Sequence, residues 1–93
     1  LEDFDIVVEG HTDNQAMNSS TIKDNWDLSV LRATSVVRYM TTDGKMDPIK
    51  IIPSGRSKYV PVNAEDTKEA RAENRRIEII LTPKLDQLMD IIK

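Results

Sequence analysis

Asn25-Trp26-Asp27-Leu28-Ser29-Val30-Leu31-Arg32-Ala33-Thr34-Ser35-Val36-Val37-Arg38-Tyr39-Met40-Thr41-Thr42 is the stretch that decides the fold. Within it Trp26, Val30, Ala33, Val37 and Met40 recur at the three-to-four spacing of an amphipathic helix, and Val36 widens the stripe. Trp26 heads that stripe and is therefore expected in the core. Asp24 or Asn25 caps the start, because a short polar side chain there can accept from the first unpaired amide hydrogens. The helix is expected to stop near Asp43-Gly44, glycine being the favoured left-handed residue after a last turn.

Before this helix, Phe4-Asp5-Ile6-Val7-Val8-Glu9-Gly10 is short and rich in β-branched residues. It reads as a strand that ends at Gly10 and delivers His11-Thr12-Asp13-Asn14 to its C-terminal edge. Residues 15–24 are polar and aperiodic, which predicts an exposed loop. After the helix, Asp47-Pro48 opens a second strand through Ile49-Lys50-Ile51-Ile52 that ends near Gly55, and Pro53, with no amide hydrogen, places it at an edge or a bulge. Residues 56–64 lack a period and read as loop. Asp66-Thr67-Lys68-Glu69 has the spacing of a capping box and predicts a short helix to about Asn74. Ile77-Glu78-Ile79-Ile80-Leu81 is the third strand. Thr82-Pro83 reads as the cap and first-turn proline of a last helix to Lys93, with Leu85, Leu88, Met89 and Ile92 on one face. Strands interleaved with helices give the α/β class: a small mixed sheet with helices packed on one face, in a single domain over residues 1–93.

Composition narrows the function classes. A chain of 93 residues has room for one core. Its 31% charged and 39% hydrophobic residues are the balance of a folded, water-facing domain. The net charge of -3 offers no attraction to phosphate backbones or anionic lipid, so nucleic acid is not an expected partner. Without cysteine there is neither a disulfide framework nor a thiolate metal site. The sequence opens at Leu1 with no leader and no apolar run of bilayer length, and it reads as a piece of a larger protein whose membrane anchor would lie upstream.

In a helix, Asn25, Ser29 and Arg32 share one face, with Leu28 beside them. This polar row is expected off the apolar stripe, starting at the helix N-terminus, where amide hydrogens and the helix dipole favour an anion. If the end of the first strand abuts that terminus, Asp13 stands opposite Arg32, and a small pocket carrying both signs suits a zwitterion. Equally, Asp13 and Arg32 could pair with each other and staple the loop to the helix. His11 with Asp13 raises the question of a metal or hydrolytic pair. There is no second histidine and Ser29 has no activating partner, so His11 is assigned to ordering the loop. Arg71, Arg75 and Arg76 interleave with Glu69, Glu73 and Glu78, the pattern of a solvated, salt-bridged face. No cofactor is expected.

Three motifs occur in order: Val8-Glu9-Gly10-His11-Thr12-Asp13-Asn14, then Asn25-Trp26-Asp27-Leu28-Ser29-Val30-Leu31-Arg32-Ala33, then Ala70-Arg71-Ala72-Glu73-Asn74-Arg75-Arg76-Ile77-Glu78-Ile79. From about Asp5 to Leu81 the chain resembles the OmpA C-terminal family of peptidoglycan-binding domains, shared by outer-membrane proteins, peptidoglycan-associated lipoproteins and the flagellar motor stator B subunit. The resemblance implies non-catalytic binding of the diaminopimelate residue of peptidoglycan stem peptides. The family's motif aspartate and arginine, which grip the amino and carboxylate groups, fall on Asp13 and Arg32. By the same carry-over Thr12, Asn25 and Leu28 line the site and Arg75 stands near it. The long loop before Asn25, the Asn25–Ser29 run and Val36–Met40 resemble the stator type, which implies a periplasmic domain anchoring a membrane protein to the cell wall, with a homodimer among the expected assemblies. An outer-membrane tether is the alternative within the class; a metal-assisted muropeptide hydrolase and a purely structural module are the alternatives outside it. The family's first strand and helix have no counterpart in this sequence.

Overall fold

The computed structural model describes residues 4–83. The elements are β1 (Phe4–His11), α1 (Asn25–Thr42), a single 3-10 turn (Pro48–Lys50), β2 (Ile51–Gly55), α2 (Lys68–Asn74) and β3 (Arg76–Pro83). β1 lies in the middle of a three-stranded mixed sheet in the order β2-β1-β3. It pairs in parallel with β2, from Ile6 opposite Ile51 to Gly10 opposite Gly55. It pairs antiparallel with β3, from Phe4 opposite Pro83 to His11 opposite Arg76. A parallel pair needs a crossover, and α1 supplies it. Pro53 sits in the edge strand β2, where a missing amide hydrogen leaves the sheet intact.

α1 lies on one face of β1 and β2, and the core is Ile6, Val8, Ala33 and Ile51, with Val36, Val37, Met40, Met46 and Ile77 packed against it. The rotation of the helix differs from the sequence expectation. Its buried residues are Asn25, Ser29 and Ala33, whereas Trp26 is 49% exposed and Val30 41% exposed. The cause lies in two glycines that face each other across the parallel ladder. A Cβ at Gly10 would run into the backbone of Ser29, and one at Gly55 would meet the Ser29 hydroxyl and Val30. The helix thus approaches the sheet so closely at its N-terminal half that only small side chains fit beneath it, and the large Trp26 is turned to the flank. The polar row is therefore part of the sheet-facing side near the helix start, not separate from it.

Several boundaries also move. Asp24 is the N-cap of α1, its side chain accepting from the Asp27 amide at 3.1 Å. At the other end Lys45, not Gly44, takes the left-handed conformation, with φ 55. Gly44 is required by closeness instead, since a Cβ there would press on the carbonyl of Met40. Ile49 and Lys50 belong to the 3-10 turn, and the second strand starts at Ile51. Thr67, rather than Asp66, caps α2 by accepting from the Ala70 amide at 3.0 Å. Thr82 and Pro83 extend β3 opposite Asp5 and Phe4 instead of opening a helix. The rest of the expected last helix, residues 84–93, lies outside the described residues. The β3 register puts Ile79 and Leu81 on the same face as α1, yet they are 52% and 47% exposed because α1 covers only the other two strands.

Candidate functional site

β1 runs out at His11, and the chain that follows turns under the start of α1. Each link in that turn is a named hydrogen bond. The buried Thr12 donates its hydroxyl to the Asp13 carbonyl at 2.9 Å. The Asn25 amide donates to the Gln15 carbonyl at 2.9 Å and, more weakly, to that of Asp13 at 3.5 Å. The Thr12 amide donates to the Ser57 carbonyl at 3.0 Å, and the Ser57 amide donates to the Ser29 hydroxyl at 3.1 Å. The first turn of α1, the end of β1 and the segment after β2 are thereby locked together through buried polar groups, which must be paired to be tolerated.

Held by this frame, Asp13 and Arg32 line one open cleft of about 200 Å³ with Thr12, Gln15, Asn25, Leu28 and Arg75. All six residues singled out from the sequence, Thr12, Asp13, Asn25, Leu28, Arg32 and Arg75, border it. Their duties differ. The amide group of Asn25 is spent on the loop carbonyls, so Asn25 shapes the cleft more than it offers donors. Asp13 does not pair with Arg32. Its Oδ2 is bound at 2.7 Å by Nη1 of Arg75, and its Oδ1 accepts the Gln15 amide at 2.9 Å. Burial pushes the Asp13 carboxyl up, but the Arg75 hydrogen bond, the Gln15 amide and the positive charges of Arg75 and Arg71 together hold it below its ordinary value. A carboxylate has about four lone-pair positions, so a further donor can still be accepted. The half-buried Arg32 has no acceptor among the described residues, and its planar fork of five donors is left to the cleft.

These relations point to a known family. The OmpA family model matches residues 1–75. The chain belongs to the OmpA family. It is 35% identical over 79 residues to Motility protein B of Bacillus subtilis, covering 85% of this chain and 30% of that protein. Among solved structures, the periplasmic domain of Helicobacter pylori MotB superposes with a TM-score of 0.83 at 25% identity, covering 99% of this chain and 58% of that one. The cell wall anchor of the T6SS from Pseudomonas aeruginosa superposes with a TM-score of 0.75 at 34% identity, covering 87% and 56%. This OmpA-family chain thus spans about a third of the length of the first relatives it matches.

Other residues of the domain take roles that its sequence did not announce. Ser57, with φ 55, is the relay between Ser29 and Thr12. Asn74 is buried and pins the preceding loop to α2, accepting the Val62 and Asn63 amides and donating to the Asn63 carbonyl. That fixes where Arg75 emerges. Only a long-range contact, 62 residues apart, reveals Arg75 as the partner of Asp13. Arg71 pairs with Asp66 and Arg76 with Glu78, in line with a salt-bridged face, although Glu69 and Glu73 are not the partners. His11 is not in the cleft. It is 1% exposed in β1, with Nε2 at 2.9 Å from Glu9, and Glu9, His11 and Glu78 bring one ligand atom each within 4.8 Å. The two carboxylates are already met by Arg56 and Arg76, which makes the trio a neutralised ionic network rather than an open ligand set. Among the described residues no helix is long and apolar enough to cross a membrane.

Proposed function

We propose that the Asp13–Arg32 cleft binds peptidoglycan without cleaving it, by holding the zwitterionic end of a diaminopimelate side chain, and that the domain anchors a membrane protein to the cell wall from the periplasm. One observation carries this reading. Arg32 lines the cleft with its guanidinium uncommitted, while Asp13 on the same cleft has its carboxyl held below its ordinary pKa and retains acceptor capacity. A guanidinium can take a carboxylate through two parallel hydrogen bonds, and an aspartate can accept from the neighbouring ammonium. One cleft thus offers a partner for each charge of an amino-acid end.

Family membership supports the reading, since one solved relative is named as a cell wall anchor and others are periplasmic domains of MotB. A flagellar motor stator is the favoured full-length context, because a MotB protein is among the relatives that match most of the chain. The test is co-sedimentation with purified sacculi that contain diaminopimelate. Wild type is expected in the pellet, with Asp13→Asn and Arg32→Ala left in the supernatant although both remain folded by circular dichroism. Equal pelleting of all three proteins would sink the proposal.

A further inference from the structure

A row of charged side chains crosses the end of the sheet that carries the cleft loop, and none of them lines the cleft. Arg56, just after β2, sets its Nε 3.4 Å from Oε2 of Glu9 on β1. Oε1 of the same carboxylate lies 2.9 Å from Nε2 of His11, which stands 3.8 Å from Oε2 of Glu78 on β3. Arg76 closes the row, donating from Nε to that Glu78 oxygen at 2.6 Å. The strand register makes the row possible, with Glu9 opposite Glu78 and His11 opposite Arg76. An ionised carboxylate only accepts, so Nε2 of His11 carries the hydrogen. Nδ1 is buried with no hydrogen-bond partner among the described residues, and the polar anchoring of the ring therefore comes from the two glutamates.

Arg76 reaches further than an ion pair needs. Its Nη2 donates to the Val60 carbonyl at 2.9 Å and its Nη1 to the Asn74 carbonyl at 3.4 Å. One side chain, 16% exposed, thus ties the loop before α2, the last residue of α2 and the start of β3. The Asn74 carbonyl belongs to the peptide unit that enters Arg75, and Arg75 is the corner between helix and strand, with φ -77° and ψ 87°. We propose that Arg76 is a positioning residue of the cleft: by tying the chain before Arg75 to the chain after it, Arg76 aims that guanidinium at Asp13, while His11, Glu9 and Arg56 hold Glu78 in place for it. What the cleft then binds rests on the peptidoglycan reading, whereas the ion pair concerned belongs to the free protein. An exposed pair contributes only when its geometry is held, because two long side chains otherwise lose more freedom than they gain in attraction. The side chain of Arg75 is 43% exposed, yet its Nη1 sits 2.7 Å from Asp13. Arg76 has the planar fork for this task, one nitrogen for each acceptor, where a lysine has a single nitrogen.

The experiment follows the Asp13 carboxyl by NMR titration of the full chain without ligand. Wild type is compared with Arg75→Ala, Arg76→Ala, Arg76→Lys, Glu78→Ala and the double variant that combines the first two alanine changes. The charged groups facing Asp13 are Arg75 and Arg71, Arg32 across the cleft, and Lys58 and Glu65 from the loop before α2. Arg76→Lys and Glu78→Ala alter none of these. Arg76→Ala and Arg76→Lys are expected to move the titration to higher pH, in the direction of Arg75→Ala and not beyond it. Arg76→Lys keeps the charge, so its shift reads geometry alone. Glu78→Ala removes a negative charge, which by Coulomb's law would lower the Asp13 titration; a rise instead reports the loss of the Arg76 anchor. With Arg75 already alanine, Arg76→Ala should add nothing. A titration of Arg76→Lys or of Glu78→Ala at or below that of wild type, or an Arg76→Ala shift of full size without Arg75, overturns the assignment. Arg76→Lys and Glu78→Ala carry the test if Arg76→Ala fails to fold. Binding of the diaminopimelate tripeptide by wild type is scored separately: its absence removes the peptidoglycan reading, and the Asp13 titration still decides the part played by Arg76.

Discussion

Replacing Arg75 with alanine should move the acid limit of peptide binding to higher pH. In the folded protein Asp13 is subject to opposed effects: burial raises its pKa, and the 2.7 Å Arg75 hydrogen bond, the Gln15 amide and the charges of Arg75 and Arg71 together outweigh it. Without Arg75, burial is offset only by the Gln15 amide and the Arg71 charge, and the carboxyl must titrate at higher pH. The Asp13 side chain is 14% exposed and that of Arg75 43%. A half-exposed guanidinium is screened, so the pair is discounted to about 1 kcal/mol from the larger value of a buried charged hydrogen bond. The limit should therefore rise, by an amount that screening of the exposed guanidinium keeps modest. The sign for stability is the same. A depressed carboxylate pKa stabilises the fold above the unfolded value, and that contribution is lost as pH falls through the folded one. Calorimetric titration with the diaminopimelate tripeptide between pH 3 and 7 reads the effect, because titration of the ligand itself is common to both proteins. At pH 7 Asp13 is ionised in both, so affinities there should agree within about fivefold, the equivalent of the same 1 kcal/mol. Acid limbs that superimpose would refute the assignment of Arg75 as the group that keeps Asp13 charged.

Two further substitutions test the frame beneath the cleft. Gly10→Ala puts a Cβ into the backbone of Ser29, which only a shift of α1 can relieve; overpacking of this kind costs about 1–3 kcal/mol, and the denaturant midpoint should fall at unchanged slope. Ser29→Ala removes the acceptor of the buried Ser57 amide, with an expected loss of about 1–3 kcal/mol in chemical denaturation. Because Ser57 also holds Thr12, the same variant should weaken tripeptide binding; stability loss with full affinity would show that the relay does not shape the site.

The alternation of elements was legible because it is local. β-branched runs, an apolar period of three to four residues and the Asp24 cap are written within a few positions of where they act. The helix rotation was not, because it depends on Gly10 and Gly55 coming side by side, and their register is set by strand pairing that no short window contains. Hydrophobicity alone assigned Trp26 to the core; the small space above two glycines assigned Ser29 there instead. The cleft residues could be named from their motifs, yet their duties could not. Asp13 and Arg32 looked like a natural pair until α2 delivered Arg75. The end of β3 misled for another reason, since Thr82-Pro83 has the chemistry of a helix start and the antiparallel ladder with β1 overrode it.

The division of labour at the cleft bears on how the proposed anchor would work. Thr12, Ser57 and Ser29 are hydrogen-bonded in series and Asn25 holds the Asp13 and Gln15 carbonyls, so the loop is organised before any ligand arrives and little ordering cost falls on binding. Arg75 neutralises part of Asp13, which leaves the cleft with one uncommitted guanidinium and one incompletely used carboxylate. Such a site is open and lightly charged, and its affinity for one peptide end must be modest. For a polymer that presents the same end many times, modest affinity is sufficient, because the effective concentration of the next attachment point is high. A contact of this strength can also be released and remade under load, whereas a deeply buried ion pair would have to desolvate at every exchange.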